Sequence, residues 1–582
     1  MARAAAACSS PLAFAAAGLG SPAATIPCPD PLDTQRLILL FIFGFSVLML
    51  WEAWQREHRP KPPAMAEQPS IPASPTAPKA AAPAAPAAPG TIGAPASTPP
   101  ASGETIRVTT DLVVAEIDTL GGTLKRLELL RHKDSADPDK NFVLISPAHL
   151  YEAQSGITGE GGPNHRSLWQ AEAGPRALGA GAEALQVRLR AQGREGLQVE
   201  KVYTFRRNSY VVDVQLRVQN GGSAPLTSYA YFQLTHDGKP EGNRNSVAET
   251  FGAQSFTGFA VYSEEHKYQK VPPSDLDKGK ADYVKQAKDG WLGLVQHYFV
   301  SAWLAPSGVL RDYLLEKRQD GSYAGRLVVP VNLAPGAEAA VDVPLYAGPQ
   351  EKRRLEGAAP GLDLVVDYGW LAIIAWPLFW LLEKLHAFTG NWGVAIILLT
   401  VLIKLVFFPL SAASYKSMAK MKLITPRLTK IREMYANDRQ KMNQAMMDLY
   451  KTEKINPLGG CFPIVVQIPV FIALYWVLLA AIELRHAPFM LWIRDLSALD
   501  PYFVLPILMT ATMVLQTRMN PTPPDPVQAK VMQFMPYFFS IFFFFFPAGL
   551  VLYWLVNNIL SIAQQWQIQR MFQRDKPAHA KR

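Results

Sequence analysis

Apolar and polar positions follow different periods in different stretches of this chain, and the changes of period divide it into segments. Residues 37–51 carry no charge, and Trp51 and Trp54 close the run as an interfacial aromatic belt, which predicts an uncleaved transmembrane anchor over residues 33–54. Residues 55–105 are rich in Pro and Ala and almost free of aromatics; such a segment cannot bury enough apolar area to offset the entropy of ordering, and reads as an extended, partly polyproline linker. Over residues 106–350 the pattern becomes that of strands. Leu112–Ile117, Val199–Phe205, Leu327–Val329 and Val341–Leu345 are rich in β-formers, and the second half of Tyr210–Val218 alternates with period two. Gly121-Gly122, Asn220-Gly221-Gly222, Asp237-Gly238 and Asp320-Gly321 supply turns between such runs, so one large all-β sandwich domain is predicted.

The last third changes again. Residues 362–388 interleave Trp370, Trp376 and Trp380 with apolar residues before Glu383, Lys384 and His386, the pattern of an amphipathic helix at the membrane surface or of the outer end of the next span. Apolar runs then predict spans at 391–410, 459–482, 501–517, 531–547 and 549–569; the last two are cut from one uncharged run at Pro547-Ala548-Gly549, because it is near twice the ~20 residues a span needs. With the anchor this makes a polytopic α-helical membrane protein of six transmembrane helices carrying an all-β domain.

Charge sets the expected orientation. Residues 411–458 hold ten Lys or Arg against four acids, and the tail 570–582 holds five against Asp575, so both are expected in the cytoplasm. The loops 483–500 and 518–530 fall on the outer and inner sides in turn. Alternation places the β domain in the periplasm and both termini in the cytoplasm. Arg56, Arg59 and Lys61, on the outer flank of the anchor, run against this assignment and are outweighed by the three later segments.

The candidate chemistry is sparse. Lys404 sits within an apolar span, where a lysine costs about 2.5–3.5 kcal/mol; it either snorkels to the cytoplasmic headgroups past Pro409 or lines a polar groove, and the five C-terminal spans contain no acid to pair with it. Thr400, Gln467, Thr510, Thr512, Gln516, Ser540, Asn557, Asn558 and Ser561 recur in the same spans, either as helix–helix hydrogen bonders or as further groove lining. In the basic loop, Met421, Ile424, Leu428, Ile431 and Tyr435, then Met442, Met446 and Leu449 after a break at Asn437-Asp438, predict a helical hairpin with an apolar seam. Met418, Met421, Met446 and Met447 are candidates for contact with apolar partners, since Met repacks readily, and the basic faces suit anionic lipid or ribosomal RNA. Cys8, Cys28 and Cys461 make no CxxC pair, and phosphate-loop, dinucleotide, HExxH and GxSxG motifs are missing, so no catalytic residue, metal or cofactor is expected.

Several motifs resemble the YidC family of bacterial membrane protein insertases, in the long form with a large periplasmic domain: Gly390-Asn391-Trp392-Gly393, Tyr415-Lys416-Ser417-Met418-Ala419-Lys420-Met421, Asn456-Pro457-Leu458-Gly459-Gly460-Cys461-Phe462-Pro463, Gln467-Ile468-Pro469, Leu491-Trp492-Ile493-Arg494-Asp495-Leu496-Ser497 and Gly549-Leu550-Val551-Leu552-Tyr553-Trp554. Asp33-Thr34-Gln35-Arg36 resembles the family's usual start, which sets residues 1–32 apart as an N-terminal extension; residues 1–31 are expected to be untranslated, with synthesis beginning at Leu32. The resemblance implies an inner-membrane insertase and foldase that is not an enzyme. It further implies five core helices around a groove open to cytoplasm and lipid, and a supersandwich-like periplasmic domain. Lys404 matches the groove's single positive charge, where arginine is common. Thr400, Gln467 and Tyr553 match its lining, and Trp554 stands where a tyrosine often lies. The implied partners are nascent membrane proteins, the Sec translocon (SecYEG and SecDF), membrane lipid and the ribosome, with no DNA. Two other classes fit parts of the pattern: a small-anion transporter using Lys404, and a ligand-binding periplasmic domain that uses the helices as an anchor.

Overall fold

The computed structural model describes residues 103–574 except 136, 160, 241–255, 454–461 and 521–525. The expected extension 1–32, the anchor 33–54, most of the linker, Cys461 and the last residues of the tail lie outside the described residues.

Nineteen strands between Thr105 and Pro349 form two antiparallel sheets of nine and ten strands whose inner faces share one core. Alternation makes the layers: in the strand Val211–Asn220, Val212, Val214, Leu216 and Val218 are buried while 213, 215, 217 and 219 face outward. Trp291–Gln296 and Phe299–Leu304 are instead buried at every position. The apolar run at 341–345 is not one strand. Glu338–Asp342 and Leu345–Pro349 both pair with Val211–Asn220, and the chain breaks at Val343-Pro344, where proline has no N–H to continue a ladder.

The Gly121-Gly122 turn shows how the sandwich is pinned. Both residues close the four-residue connection between Val113–Asp118 and Thr123–Lys133 and have positive φ, +86° and +53°, which glycine adopts without strain. Lys201, fully buried, donates from Nζ to the carbonyls of Gly121 (3.0 Å), Gly122 (3.0 Å) and Ser155 (2.9 Å), and lies 4.4 Å from the Trp169 ring. Every N–H of a buried cation is thereby matched, and one side chain from the ten-stranded sheet ties the Gly121-Gly122 turn to the strand Glu152–Ile157 of the other sheet.

Among the described residues a short helix, Lys352–Ala358, leaves the β domain, and eight longer helices follow it, labelled α1 to α8. α1 (Ala372–Thr389) ends at Gly390 in the left-handed region, and Asn391 accepts the Val394 N–H to start α2 (Trp392–Val406). α3 (Phe408–Met434) leaves α2 at a 67° bend, with Pro409 in its first turn where the missing N–H costs nothing. The apolar stretch to Leu410 therefore ends in a second helix rather than in a straight span. Asp438 caps α4 (Arg439–Thr452), so the hairpin turns at the break the sequence marks. Its seam is Ile424 and Leu428, with Met421, Met446, Leu449 and Tyr450 packed on them. α5 (Phe462–Ala480) precedes α6 (Val504–Met519), whose first turn is held by buried Asp500 through Leu505 N (2.7 Å) and Tyr502 N (3.1 Å). α7 (Pro526–Phe543) and α8 (Ala548–Arg574) are each displaced from the predicted spans, α7 beginning earlier and α8 running later. Among the described residues one helix, Gly369–Thr389, is long and apolar enough to cross a bilayer alone, and α2 and α3 reach that length only when counted together across their bend; Val466–Ala480 and α6 are shorter apolar helices.

The sandwich rests on the end of α5 and the loop after it. Ile482 belongs to the β core, His297 Nε2 lies 3.2 Å from the Leu479 carbonyl, Arg485 donates to Ser135 (3.0 Å), and the Arg485 guanidinium covers the rings of Phe142 and Phe299.

Two histidines give this domain an acid sensitivity. Burial, then the nearby Arg485, lowers the pKa of His132 to about 4; burial, then Arg166, lowers that of His165 to about 3. Both lie below the unfolded value of about 6.5, so between pH 6.5 and 4 the unfolded chain binds protons the folded chain refuses, and stability falls as pH falls, by on the order of 3 kcal/mol per histidine over the full window. Calorimetry of the full chain in detergent is expected to show the β-domain transition moving down in temperature from pH 7 to pH 4.5, with a shallower slope in His132→Phe. An unchanged slope in that variant would remove His132 from the account.

Candidate functional site

The site is built on α8, which packs against α2, α3, α5 and α6. Although α8 arises from a long uncharged run, Asn557, Asn558, Ser561, Gln564 and Gln565 recur at three- and four-residue steps and so share one face. That face is buried: Asn558, Ser561 and Gln565 are 7%, 6% and 0% exposed. It is tied to its neighbours by hydrogen bonds from Asn558 Nδ2 to Thr512 Oγ1 of α6 (2.9 Å) and from Gln565 Nε2 to Asn520 Oδ1 just past α6 (3.1 Å).

Lys404, in the last turn of α2, meets the same face. Its side chain does not run free to the surface: the residue is 5% exposed and Nζ donates to Ser561 Oγ at 2.7 Å. Ser561 Oγ donates in turn to the Asn557 carbonyl (2.7 Å), and the Tyr415 side chain of α3 also hydrogen-bonds Ser561. A serine hydroxyl has one donor and two acceptor positions, so Ser561 accepts from Lys404 while it donates to the Asn557 carbonyl. An ammonium carries three N–H donors and Ser561 accepts one of them, and its partner here is neutral, so the charge itself is not cancelled. Thr400, one turn before Lys404 on the same face, is 1% exposed and returns its hydroxyl to the Ile396 carbonyl (2.7 Å).

One turn along α8 from Asn557 and Asn558, the polar face becomes aromatic. Trp554 is stacked on Phe471 of α5 (centroids 5.9 Å) and met edge-on by Phe543 (4.9 Å) and Phe546 (5.2 Å). These rings, with Met509, Phe539, Phe542, Asn557 and Asn558, line a cavity of about 420 Å³. The indole Nε1 of Trp554 is buried there with no hydrogen-bond partner. α8 thus carries a buried polar face, bonded to the Lys404 ammonium through Ser561, and one turn beyond Asn557 the apolar chamber that holds the Trp554 indole N–H.

The other expected positions are spread out. Tyr553 is 2% exposed and packs on Phe471 (5.5 Å) within the helical core. Gln467 is half-buried on α5. In the hairpin, Met421 and Met446 fill the seam, Met418 is half-buried and Met447 is 53% exposed. The amide pair Gln564 and Gln565 went unnoticed in the sequence; their spacing from Ser561 was the available signal.

These features define a membrane-embedded helical core with a buried polar face and an adjoining apolar chamber, joined to a β-sandwich domain. Residues 384–576 match the family described as 60Kd inner membrane protein, and residues 105–381 match the one described as YidC periplasmic domain. The membrane protein insertase YidC of Methylobacillus flagellatus is 51% identical over 549 residues, 93% of this chain and 98% of that protein. That of Cupriavidus necator is 52% identical over 560 residues, 94% and 99% respectively. Among solved structures, an active YidC insertase with its first transmembrane domain resolved aligns over 80% of this chain and 92% of that one, at 18% identity and a TM-score of 0.37. The chain belongs to the YidC family of membrane protein insertases, inner-membrane proteins with a periplasmic domain rather than enzymes.

The Lys404–Ser561 bond is expected to couple the two residues energetically. A double-mutant cycle of Lys404→Met and Ser561→Ala, read by thermal unfolding in nanodiscs, is expected to give a coupling of about 0.6–1.7 kcal/mol, the range of hydrogen bonds between membrane helices. Additive effects would mean that the bond does not hold α2 to α8.

Proposed function

We propose that this chain inserts and helps fold inner-membrane proteins by leading the polar part of a client along a track from Lys404 to Trp554. The observation that carries the reading is the buried ammonium bonded to a neutral hydroxyl beside an open aromatic chamber. An acidic or carbonyl-rich client segment competes for that ammonium on better terms than Ser561, because a charged acceptor makes the stronger hydrogen bond. Apolar client side chains enter the chamber lined by Phe471, Phe543 and Trp554 and pass sideways into lipid. Transfer of apolar area to the bilayer drives the process, so no nucleotide is consumed. Thr400 and Gln467 serve as further polar lining, and Tyr553 supports Phe471 from behind.

In this reading the chain crosses the membrane six times. The anchor over 33–54 comes first and five helices form the core, while α1 lies along the outer interface. That placement of α1 is supported by its exposed Ile373, Trp380 and Phe388 and by Trp370 just before it. The basic hairpin and both termini are cytoplasmic and the β domain is periplasmic. Met447 and Met418, with Met421 and Met446 when the seam opens, first receive the client. The ribosome and anionic lipid are met by the hairpin's basic faces, and the Sec translocon delivers clients that need it.

Proteoliposomes holding the purified chain and a small two-span client with an acidic leading segment test this. Protease protection of the translocated part is expected well above empty liposomes, to fall roughly tenfold in Lys404→Ala, about 1.4 kcal/mol in barrier terms, and to be largely retained in Lys404→Arg. Equal protection by wild type and Lys404→Ala would contradict the role given to the charge.

A further inference from the structure

Far from the helices, the β domain brings together three side chains that sequence spacing does not connect. His149 ends the 3-10 turn Pro147–His149, and His236 and Asp237 end the central strand Leu226–His236 of the nine-stranded sheet. Backbone pairing sets their proximity, since the Asp237 N–H donates to the His149 carbonyl at 2.9 Å. His149 Nδ1 lies 3.2 Å from Asp237 Oδ2, and His236 Nδ1 lies 3.5 Å from Asp237 Oδ1. One ligand atom from each residue falls within 4.8 Å of the others. Ligands bound to zinc at 2.0–2.1 Å in tetrahedral geometry sit about 3.3 Å apart; the His149–Asp237 separation already matches this, and His236, stacked on His149 at 5.8 Å, joins the same ion by turning its ring and closing from within 4.8 Å.

The surroundings of His236 identify its coordinating nitrogen. Its Nε2 lies 3.2 Å from the Gln296 side-chain amide nitrogen, while Gln296 Oε1 is buried without a partner. Turning that amide, whose oxygen and nitrogen are interchangeable in shape, lets Oε1 accept the His236 Nε2–H. The proton then sits on Nε2 and the lone pair on Nδ1, which faces Asp237 and His149. This is the outer-sphere arrangement of metal-binding histidines, in which the far N–H is fixed by a carbonyl oxygen. In the metal-free chain the lone pair accepts the Gly238 N–H at 2.9 Å. Gly238, at φ +74°, has the backbone freedom to turn that N–H away. Asp237 Oδ1 is already engaged by the Lys239 N–H (2.9 Å), which leaves Oδ2 as the coordinating oxygen. His236 is 1% exposed and the His149 side chain 31%, so the cluster is rigid on its inner side and open to solvent on its outer side.

We propose that His149 Nδ1, His236 Nδ1 and Asp237 Oδ2 bind one divalent first-row cation, zinc by ligand type and geometry, with a water in the fourth position. Two neutral imidazoles and one carboxylate are borderline ligands that suit zinc over calcium or magnesium, which demand oxygen. The cation clamps the entry of the strand Glu152–Ile157 to the exit of the central strand. This site stands independently of the insertion mechanism.

The test uses the full chain without an affinity tag, in detergent, stripped by chelator and then dialysed against micromolar zinc. Elemental mass spectrometry is expected to give one zinc per chain, and the β-domain melting temperature is expected to rise with zinc concentration. His149→Ala and Asp237→Asn, both at partly exposed positions, are expected to fold as judged by circular dichroism and to bind at least tenfold more weakly. Gln296→Ala, with all ligands intact, is expected to lose 10- to 100-fold in affinity. Cobalt(II) in place of zinc is expected to show the visible absorption of a four-coordinate site in wild type alone. No zinc retained by the wild type, or equal zinc retained by His149→Ala and Asp237→Asn, overturns the proposal.

Discussion

An ammonium group held among apolar helices, with a hydroxyl rather than a carboxylate for a partner, is the constraint on which the rest of the helical core depends. A carboxylate beside Lys404 would neutralise it permanently, and a client would have to break an ion pair in low dielectric to reach it. Ser561 satisfies part of the hydrogen-bonding need and none of the charge. The cost of burying the cation is spread over a shared network in which α3 contributes Tyr415 and α8 contributes both Ser561 and the Asn557 carbonyl. The tie of Asn558 to Thr512 then fixes an amide that lines the aromatic chamber on the side nearest this polar end.

The β domain solves a parallel problem by the opposite means. Lys201 is buried as deeply as Lys404, yet three backbone carbonyls and the face of Trp169 surround it, so it is committed to structure. The comparison separates a cation used as a rivet from one left partly unsatisfied. The domain's attachment through Ile482, His297 and Arg485 also means that the loop after α5 is held from both sides. A rigid outer end of α5 keeps Phe471 and Trp476 in register with α8 and α1.

Much of this was legible in the sequence because it rests on local period. Alternation gave Val211–Asn220, the seam spacing gave the hairpin and its turn near Asn437-Asp438, and a single charge in an apolar run gave Lys404. What escaped has physical reasons. Trp291–Gln296 and Phe299–Leu304 are buried on both faces and show no alternation. Pro344 ends a ladder inside a run that looks like one strand, and Phe407 hides a bend inside a run that looks like one span. Gln564 and Gln565 reveal their face only when α8 is read with helical period. Lys404's bond to Ser561 lies 157 positions away, and His149 and Asp237 lie 88 apart, distances over which only tertiary structure brings side chains together.

The central claim is that the Lys404 charge draws the polar part of a client toward the aromatic chamber. The most direct measurement places a photoreactive amino acid at position 557 and quantifies crosslinking to a ribosome-stalled client whose leading segment is acidic or has been neutralised. The account predicts strong crosslinking for the acidic client, a several-fold fall when its acids are neutralised, and the same fall when Lys404 is replaced by Ala. Crosslinking that is indifferent both to client charge and to Lys404 would contradict it.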